Sequence, residues 1–189
     1  MNEPRNLLEL PADLPVPADD GACDHLPGMR LPALALPATG GGMIDLSTLP
    51  GRSVVYVYPR TGRPDQPLPT GWDDIPGARG CTPQSCAYRD LAAELAALGA
   101  RVFGLSTQDT AYQQEAVTRL HLPFPLLSDE RLELATALAL PTFEVDGMTL
   151  IKRLTLVISA GVIETVFYPV FPPDADAAHV AAWLREHHT

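Results

Sequence analysis

The spacing of apolar and polar positions changes several times along the chain, and each change predicts an element. Val54 to Tyr58 (VVYVY) is a β-branched and aromatic run that stops at Pro59, as a buried central strand would. From Ala87 to Leu98, the leucines at 91, 95 and 98 recur at i, i+4 and i+7, and Gly99 follows in a C-terminal capping position. That spacing predicts a helix. Arg101 to Leu105 reads as a second strand. Thr110 to His121 predicts a helix ended by Pro123-Phe124-Pro125, and Pro125 to Leu127 begins another short strand. Arg131 to Leu140 predicts a helix closed by Pro141. Leu154 to Ile158 and Val162 to Tyr168, around Ser159-Ala160-Gly161, form a hairpin-like pair. Asp174 to His187 predicts a terminal helix with Val180, Trp183 and Leu184 on one face. Strands and helices alternate first, and an antiparallel pair plus helix follows. The fold class is therefore α/β, a mixed central sheet flanked by helices on both faces. Residues 34–49, with the Gly40-Gly41-Gly42 turn, add an N-terminal hairpin.

Proline placement divides the rest. The chain has 20 prolines, about twice the usual frequency. Prolines 4, 11, 15, 17 and 27 make residues 1–30 a Pro-rich N-terminal arm in which helix and sheet donors are repeatedly removed. The arm could pack on its own domain or on a neighbour. Residues 31–189 form the folded domain. Prolines 59, 64, 67, 69 and 76, mixed with Gly62, Gly71 and Gly77, mark a long irregular loop over about residues 60–79. Structureless loops of that length are uncommon and are usually functional or disordered.

Charge then narrows the partners. Thirteen Lys and Arg stand against 23 Asp and Glu in 189 residues, a formal charge of -10, and Lys152 is the only lysine. Phosphate backbones are bound by Lys and Arg, so nucleic acid is an unfavoured partner. No segment approaches the roughly 20 apolar residues of a membrane span, and Met1 to Gly28 lacks the apolar run of a secretory signal. The expected location is cytoplasmic. Three cysteines are too few for a disulfide scaffold. In a reducing compartment, two of them close together point to chemistry or metal. The histidines at 25, 121, 179, 187 and 188 are scattered or terminal, so neither a metal site nor another cofactor is expected. Cys23 reads as a small buried apolar residue.

The informative segment is Gly80-Cys81-Thr82-Pro83-Gln84-Ser85-Cys86-Ala87-Tyr88-Arg89-Asp90, which opens the first long helix. Thr82 suits an N-cap and Pro83 a first helical position, where no N–H is needed. Cys81 would then lie just outside the helix, facing its free N–H groups and the positive end of its dipole, with Arg79 as a nearby cation. These surroundings favour the thiolate, the nucleophilic form of cysteine. If both cysteines were helical, their Cα atoms would be about 8.5–9 Å apart. That exceeds the roughly 7 Å limit for a disulfide, so bridging would require the first turn to unwind.

The same residues resemble a known family. Val54 to Pro59, the Gly80 to Asp90 block, Gly104-Leu105-Ser106-Thr107 and Phe124 to Glu130 are similar in order and spacing to the peroxiredoxins, nearest the bacterioferritin-comigratory or Q-type branch. The resemblance runs from about Leu34 to the C-terminus, with one insertion at about residues 60–79. It implies a thioredoxin-like fold and a thiol-dependent peroxidase that reduces hydrogen peroxide or organic hydroperoxides. It also implies roles. Cys81 matches the peroxidatic cysteine, which becomes a sulfenic acid, and Cys86 the resolving cysteine, which closes an intramolecular disulfide. Arg153 matches the arginine that stabilises thiolate and peroxide, and Pro59 the proline that shields the sulfur. Thioredoxin or a similar dithiol would recycle the enzyme, and a monomer or weak dimer is expected.

The family's Pro-x-x-x-Thr-x-x-Cys pattern breaks here. The insertion separates Pro59 from Cys81, and Ala78 stands at the threonine position. Thr61, Thr70 and Thr82 are candidates to replace the hydroxyl, and Pro76 to take over shielding. The insertion is expected either to lid the site, with Trp72 near the entrance, or to be a packed surface loop. An alternative function keeps the fold and drops the turnover, making the protein a peroxide-responsive sensor or interaction module. A general disulfide reductase is disfavoured because the spacing is C-x4-C rather than C-x-x-C.

Overall fold

The computed structural model describes residues 6–187. In chain order it contains β1 (Ala35–Pro37), β2 (Met43–Asp45), β3 (Arg52–Val57), α1 (Cys81–Ala97), β4 (Ala100–Ser106), α2 (Thr110–Leu120) and β5 (Leu126–Ser128). There follow α3 (Glu133–Ala137), β6 (Thr142–Val145), β7 (Met148–Ile151), β8 (Leu154–Ser159), β9 (Val162–Phe167) and α4 (Asp176–Glu186).

Five strands form the central sheet in the order β5-β4-β3-β8-β9. β3 runs parallel to β4 and antiparallel to β8, with Val54 opposite both Val102 and Val157. β4 and β5 are parallel, and β8 and β9 antiparallel. The sheet is mixed, as the sequence pattern predicts. Because side chains alternate along a strand, Val54 and Tyr56 pack with Tyr88 and Leu95 of α1 and Val180 and Leu184 of α4. Val55 and Val57 face the other way, toward Leu134 of α3 and Cys23, Leu26 and Leu31 of the N-terminal segment. β3 is thus buried on both faces, which is why it reads as an unbroken apolar run.

The N-terminal segment packs on its own domain. Gly28 N–H donates to Ile163 O, Leu31 N–H to Gly161 O, and Cys23 is buried. Its carboxylate Asp20 accepts from the Tyr168 hydroxyl (2.8 Å) and from Lys152 (3.0 Å). The 34–49 hairpin forms as β1 and β2.

Three local expectations change. α3 is shorter than Arg131–Leu140: Leu132 takes a positive φ of 56°, and the Asp129 carboxylate accepts from the N–H groups of Leu134 and Ala135, which sets a later start. The β6–β7 hairpin is an element that the apolar pattern does not predict. Its turn, Asp146-Gly147 with φ of 48° and 75°, is an Asp-Gly pair of the kind that hairpins favour. The third change, at the start of α1, belongs to the site. Among the described residues no helix is long and apolar enough to cross a membrane.

Candidate active site

α1 begins at Cys81, two residues earlier than Thr82 and Pro83 suggest, and Gly80 is the residue before it. Gly80 has a φ of 104°, and a Cβ there would collide with Pro173 and come within 2.8 Å of Leu10. Only glycine combines that backbone with that closeness. Pro83 still falls within the first turn, where its missing N–H is harmless. Cys81 therefore stands on the helix's first residue, 3% exposed, among amide groups with no partner inside the helix.

The cation at its sulfur is Arg153, not Arg79. Arg153 Nη2 donates to Cys81 Sγ at 3.2 Å. The same nitrogen contacts the carbonyls of Gly77 (3.2 Å), Ala78 (3.0 Å) and Arg79 (3.1 Å), so the guanidinium clamps the chain just before the helix. Arg79 turns away: its guanidinium pairs with Asp73 and donates to Asn6 O. The second contact of the sulfur is the Ala78 carbonyl, at 3.5 Å. A backbone oxygen thus lies near the sulfur at the residue where the family pattern has threonine. Thr61 is committed elsewhere, its hydroxyl donating to Gln108 Oε1 (3.1 Å). Thr70 is exposed and Thr82 buried. Pro59 is buried two residues after β3, next to Tyr58, which shares a cluster with Cys81.

Two polar residues that sequence reasoning missed complete the surroundings. Gln84, fully buried one turn after Cys81, accepts from Arg153 Nη1 through Oε1. Its Nε2 donates to Asp176 Oδ2 (2.8 Å), which also accepts from Thr155 (2.7 Å) and Tyr88 (2.9 Å). Burial pushes the Asp176 carboxyl upward, against the lowering pull of Thr155, Gln84, Tyr88 and then Arg153. Helical spacing from Cys81 could have flagged Gln84; nothing local flags Asp176.

Cys86 is half-buried in the same helix, and all three cysteines are free thiols. Burial raises the Cys86 thiol, with Arg89 pulling it down. Cys23 is pushed up to about 12, by burial first and then by Asp20, Asp19 and Asp24. With Cys81 and Cys86 both helical, the ideal-helix separation of about 8.5–9 Å applies, and the first turn must open before they can meet.

A cavity of about 300 Å³ opens beside Arg153, walled by Ile75 and Pro76 of the insertion, Phe143, Val170 and Pro17. Trp72 does not stand at its entrance. It is buried against Phe143, ring centroids 6.2 Å apart, in a small cluster with Ala78, Val145 and Leu150. The insertion packs and supplies a wall through its far end. Among the described residues, no group of His, Cys, Asp and Glu is arranged to hold a metal ion.

The redoxin family profile matches residues 26–183. The chain belongs to the redoxin family. Within it, its relatives are peroxiredoxins of the bacterioferritin-comigratory and Q type. A bcp-type peroxiredoxin of Coxiella burnetii is 34% identical over 104 residues, covering 54% of this chain and 59% of that one. The chloroplastic peroxiredoxin Q of Oryza sativa subsp. japonica is 34% identical over 160 residues, 84% of this chain and 64% of that one. The match spans less than two thirds of either relative's length. Among solved structures, peroxidoxin BcpB of Mycobacterium tuberculosis aligns with a TM-score of 0.69 at 28% identity, covering 87% of this redoxin and 100% of that chain. Xanthomonas campestris peroxiredoxin Q aligns with a TM-score of 0.65 at 21% identity, covering 94% and 100%, and shares the thioredoxin-type fold.

Proposed function

We propose that the protein is a thiol-dependent peroxidase in which Cys81 attacks the peroxide and Cys86 resolves the product. One observation carries this reading: Cys81 Sγ lies 3.2 Å from Arg153 Nη2 at the first residue of a helix that bears a second thiol five positions on. The guanidinium and the free amides favour a thiolate there. The thiolate attacks one oxygen of the O–O bond, the bond breaks, and the other oxygen leaves as water or an alcohol once protonated. Cys81 is left as a sulfenic acid. With the first turn open, the Cys86 thiolate attacks the Cys81 sulfur, the S–O bond breaks, the oxygen leaves as hydroxide and takes up a proton to become water, and a disulfide forms. Thioredoxin or a similar dithiol supplies the two electrons that restore both thiols. Arg153 stabilises the thiolate and polarises the peroxide, and Pro59 shields the sulfur. Hydrogen peroxide or an organic hydroperoxide is the substrate, a reducing compartment such as the cytoplasm the setting, and a monomer or weak dimer the working form.

The test is peroxide consumption by the wild type and by Cys81→Ser with a dithiol present. The variant should lose turnover, and equal consumption by the two refutes the assignment. The second reading, a redox sensor with little turnover, draws support from Ala78, which offers a carbonyl where the family has a hydroxyl. A wild-type rate with peroxide close to that of a free thiol would favour it.

A further inference from the structure

Three buried polar side chains, from three separate places in the sequence, lie in a single line of hydrogen bonds ending at the sulfur. Asp176 opens α4 and is 1% exposed, Gln84 lies in α1 at 0%, and Arg153 precedes β8 at 3%. The Gln84 amide has one accepting end and one donating end. Arg153 can only donate, so the end that faces it must be the oxygen. The other end then presents Nε2 to Asp176 Oδ2 at 2.8 Å. The Thr155 and Tyr88 hydroxyls aim at that same oxygen. Ionised, or protonated on Oδ1, Asp176 offers Oδ2 as the acceptor for the amino end of the amide.

We propose that Asp176 is a positioning residue for the peroxidatic thiolate: it fixes which way the Gln84 amide points and, through that amide, holds the Arg153 guanidinium on Cys81. If the acceptor at 176 is removed, the amide is free to rotate and turn its NH2 toward Arg153. Two donors then face each other, and the guanidinium loses the contact that steadies it on the side away from the sulfur. The three backbone carbonyls of residues 77–79 still hold Nη2, so the effect is a loosening of the ion pair rather than its loss. The inference rests on Cys81 being the reactive thiol, but its readout needs no peroxide turnover.

The experiment follows alkylation of Cys81 by iodoacetamide against pH, with Cys23 and Cys86 replaced by serine. Asp176→Leu, which keeps the branched shape without an acceptor, should move the midpoint of the profile upward and, at pH below that midpoint, slow alkylation about tenfold. Asp176→Asn retains an oxygen that can face Gln84 and should stay within about threefold of the parent. In a Gln84→Met background, Asp176→Leu should add no further shift, because the link is already cut. An unchanged profile in Asp176→Leu overturns the proposal. So does an equal shift in Asp176→Asn, or an undiminished shift in the Gln84→Met background, since each means that packing rather than amide orientation is at work. Should Asp176→Leu fail to fold, Gln84→Met alone decides: it must reproduce the upward shift, and a profile superimposing on the parent's refutes the relay. Loss of peroxidase activity in none of the cysteine variants would instead overturn the assignment of Cys81, and leaves the alkylation result standing by itself.

Discussion

Replacing Arg153 by methionine tests the electrostatics of the site directly. At the observed 3.2 Å, a thiolate and a guanidinium attract by about 5 kcal/mol at an effective dielectric of about 20. Desolvation of both groups offsets much of this, and an adjacent opposite charge typically shifts a titrating group by about 1–3 units. At about 1.4 kcal/mol per unit, the middle of that range is about 3 kcal/mol. Arg153→Met should therefore move the midpoint of the Cys81 alkylation profile upward and, at pH below that midpoint, slow the reaction with peroxide by about a hundredfold. The loss with peroxide should exceed the loss with iodoacetamide, since in the proposed mechanism the guanidinium also polarises the O–O bond. The substitution strips a donor from the carbonyls of Gly77, Ala78 and Arg79 and from Gln84. Each stranded acceptor costs about 1–3 kcal/mol, so Arg153→Lys accompanies it, keeping the charge while giving up the planar fork. Stopped-flow mixing with peroxide and alkylation rates provide the assay, and circular dichroism confirms the fold. A well-folded Arg153→Met protein with a wild-type alkylation profile would refute the reasoning.

Four further outcomes follow from the same geometry. One equivalent of peroxide should produce a Cys81–Cys86 disulfide by mass spectrometry; Cys86→Ser should stop at a sulfenic acid that a carbon nucleophile can trap, and an undiminished disulfide in that variant would implicate Cys23. Alkylation of the native protein at pH 8 should spare Cys23, whose thiol is pushed up to about 12, and modify it only after unfolding. Asp20 is lowered to about 2, first by Tyr168 and then by Lys152 and the Ala22 N–H. Its folded value lies below its unfolded one, so its tether of the N-terminal segment is complete above about pH 4 and lost as pH falls through about 2. Amide exchange around residues 18–22 should quicken over that window in the wild type and be insensitive to it in Asp20→Asn. Trp72→Ala should destabilise the protein by about 3–5 kcal/mol in denaturant melts, as for a buried aromatic.

What the sequence discloses and what it conceals divides along a physical line. β3, β4, β8, β9 and the helices α1, α2 and α4 are legible because each has a period or an apolar run of its own. The Gly80 to Asp90 block is legible because reactive thiols need a local setting, a helix start, that leaves marks in adjacent residues. Less is visible where a long-range partner decides. Arg79, beside Cys81 in sequence, is the obvious cation, yet Asp73 and Asn6 O draw it away, and Arg153 arrives from across the sheet. Thr82 has the chemistry of a cap, but the crowding of Pro173 and Leu10 against Gly80 selects the residue before the cysteine. Arg131 to Leu140 carries enough helical residues to look continuous, yet Asp129 starts the helix later by holding two amides. The Asp146-Gly147 turn is readable by itself, but its flanking strands, four residues each, are too short to show a period of their own.

The contacts that hold Cys81 in its reduced place oppose the next step of the proposed cycle. Arg153 binds the carbonyls of residues 77, 78 and 79 as well as the sulfur, and the same turn is packed by Leu10 and Pro173 and tied to Asn6 through Arg79. Bringing Cys81 to Cys86 requires the backbone around residue 81 to leave the helix, so these bonds must break together rather than one at a time. Oxidation supplies a reason for them to do so. A sulfenic acid is neutral near neutral pH and no longer pairs with the guanidinium as a thiolate does, so the attraction that anchors the turn weakens after peroxide has been consumed. The clamp thus favours the folded helix while the sulfur is charged and yields when it is not. The order of events, attack first and unwinding second, follows from the change of charge at one atom.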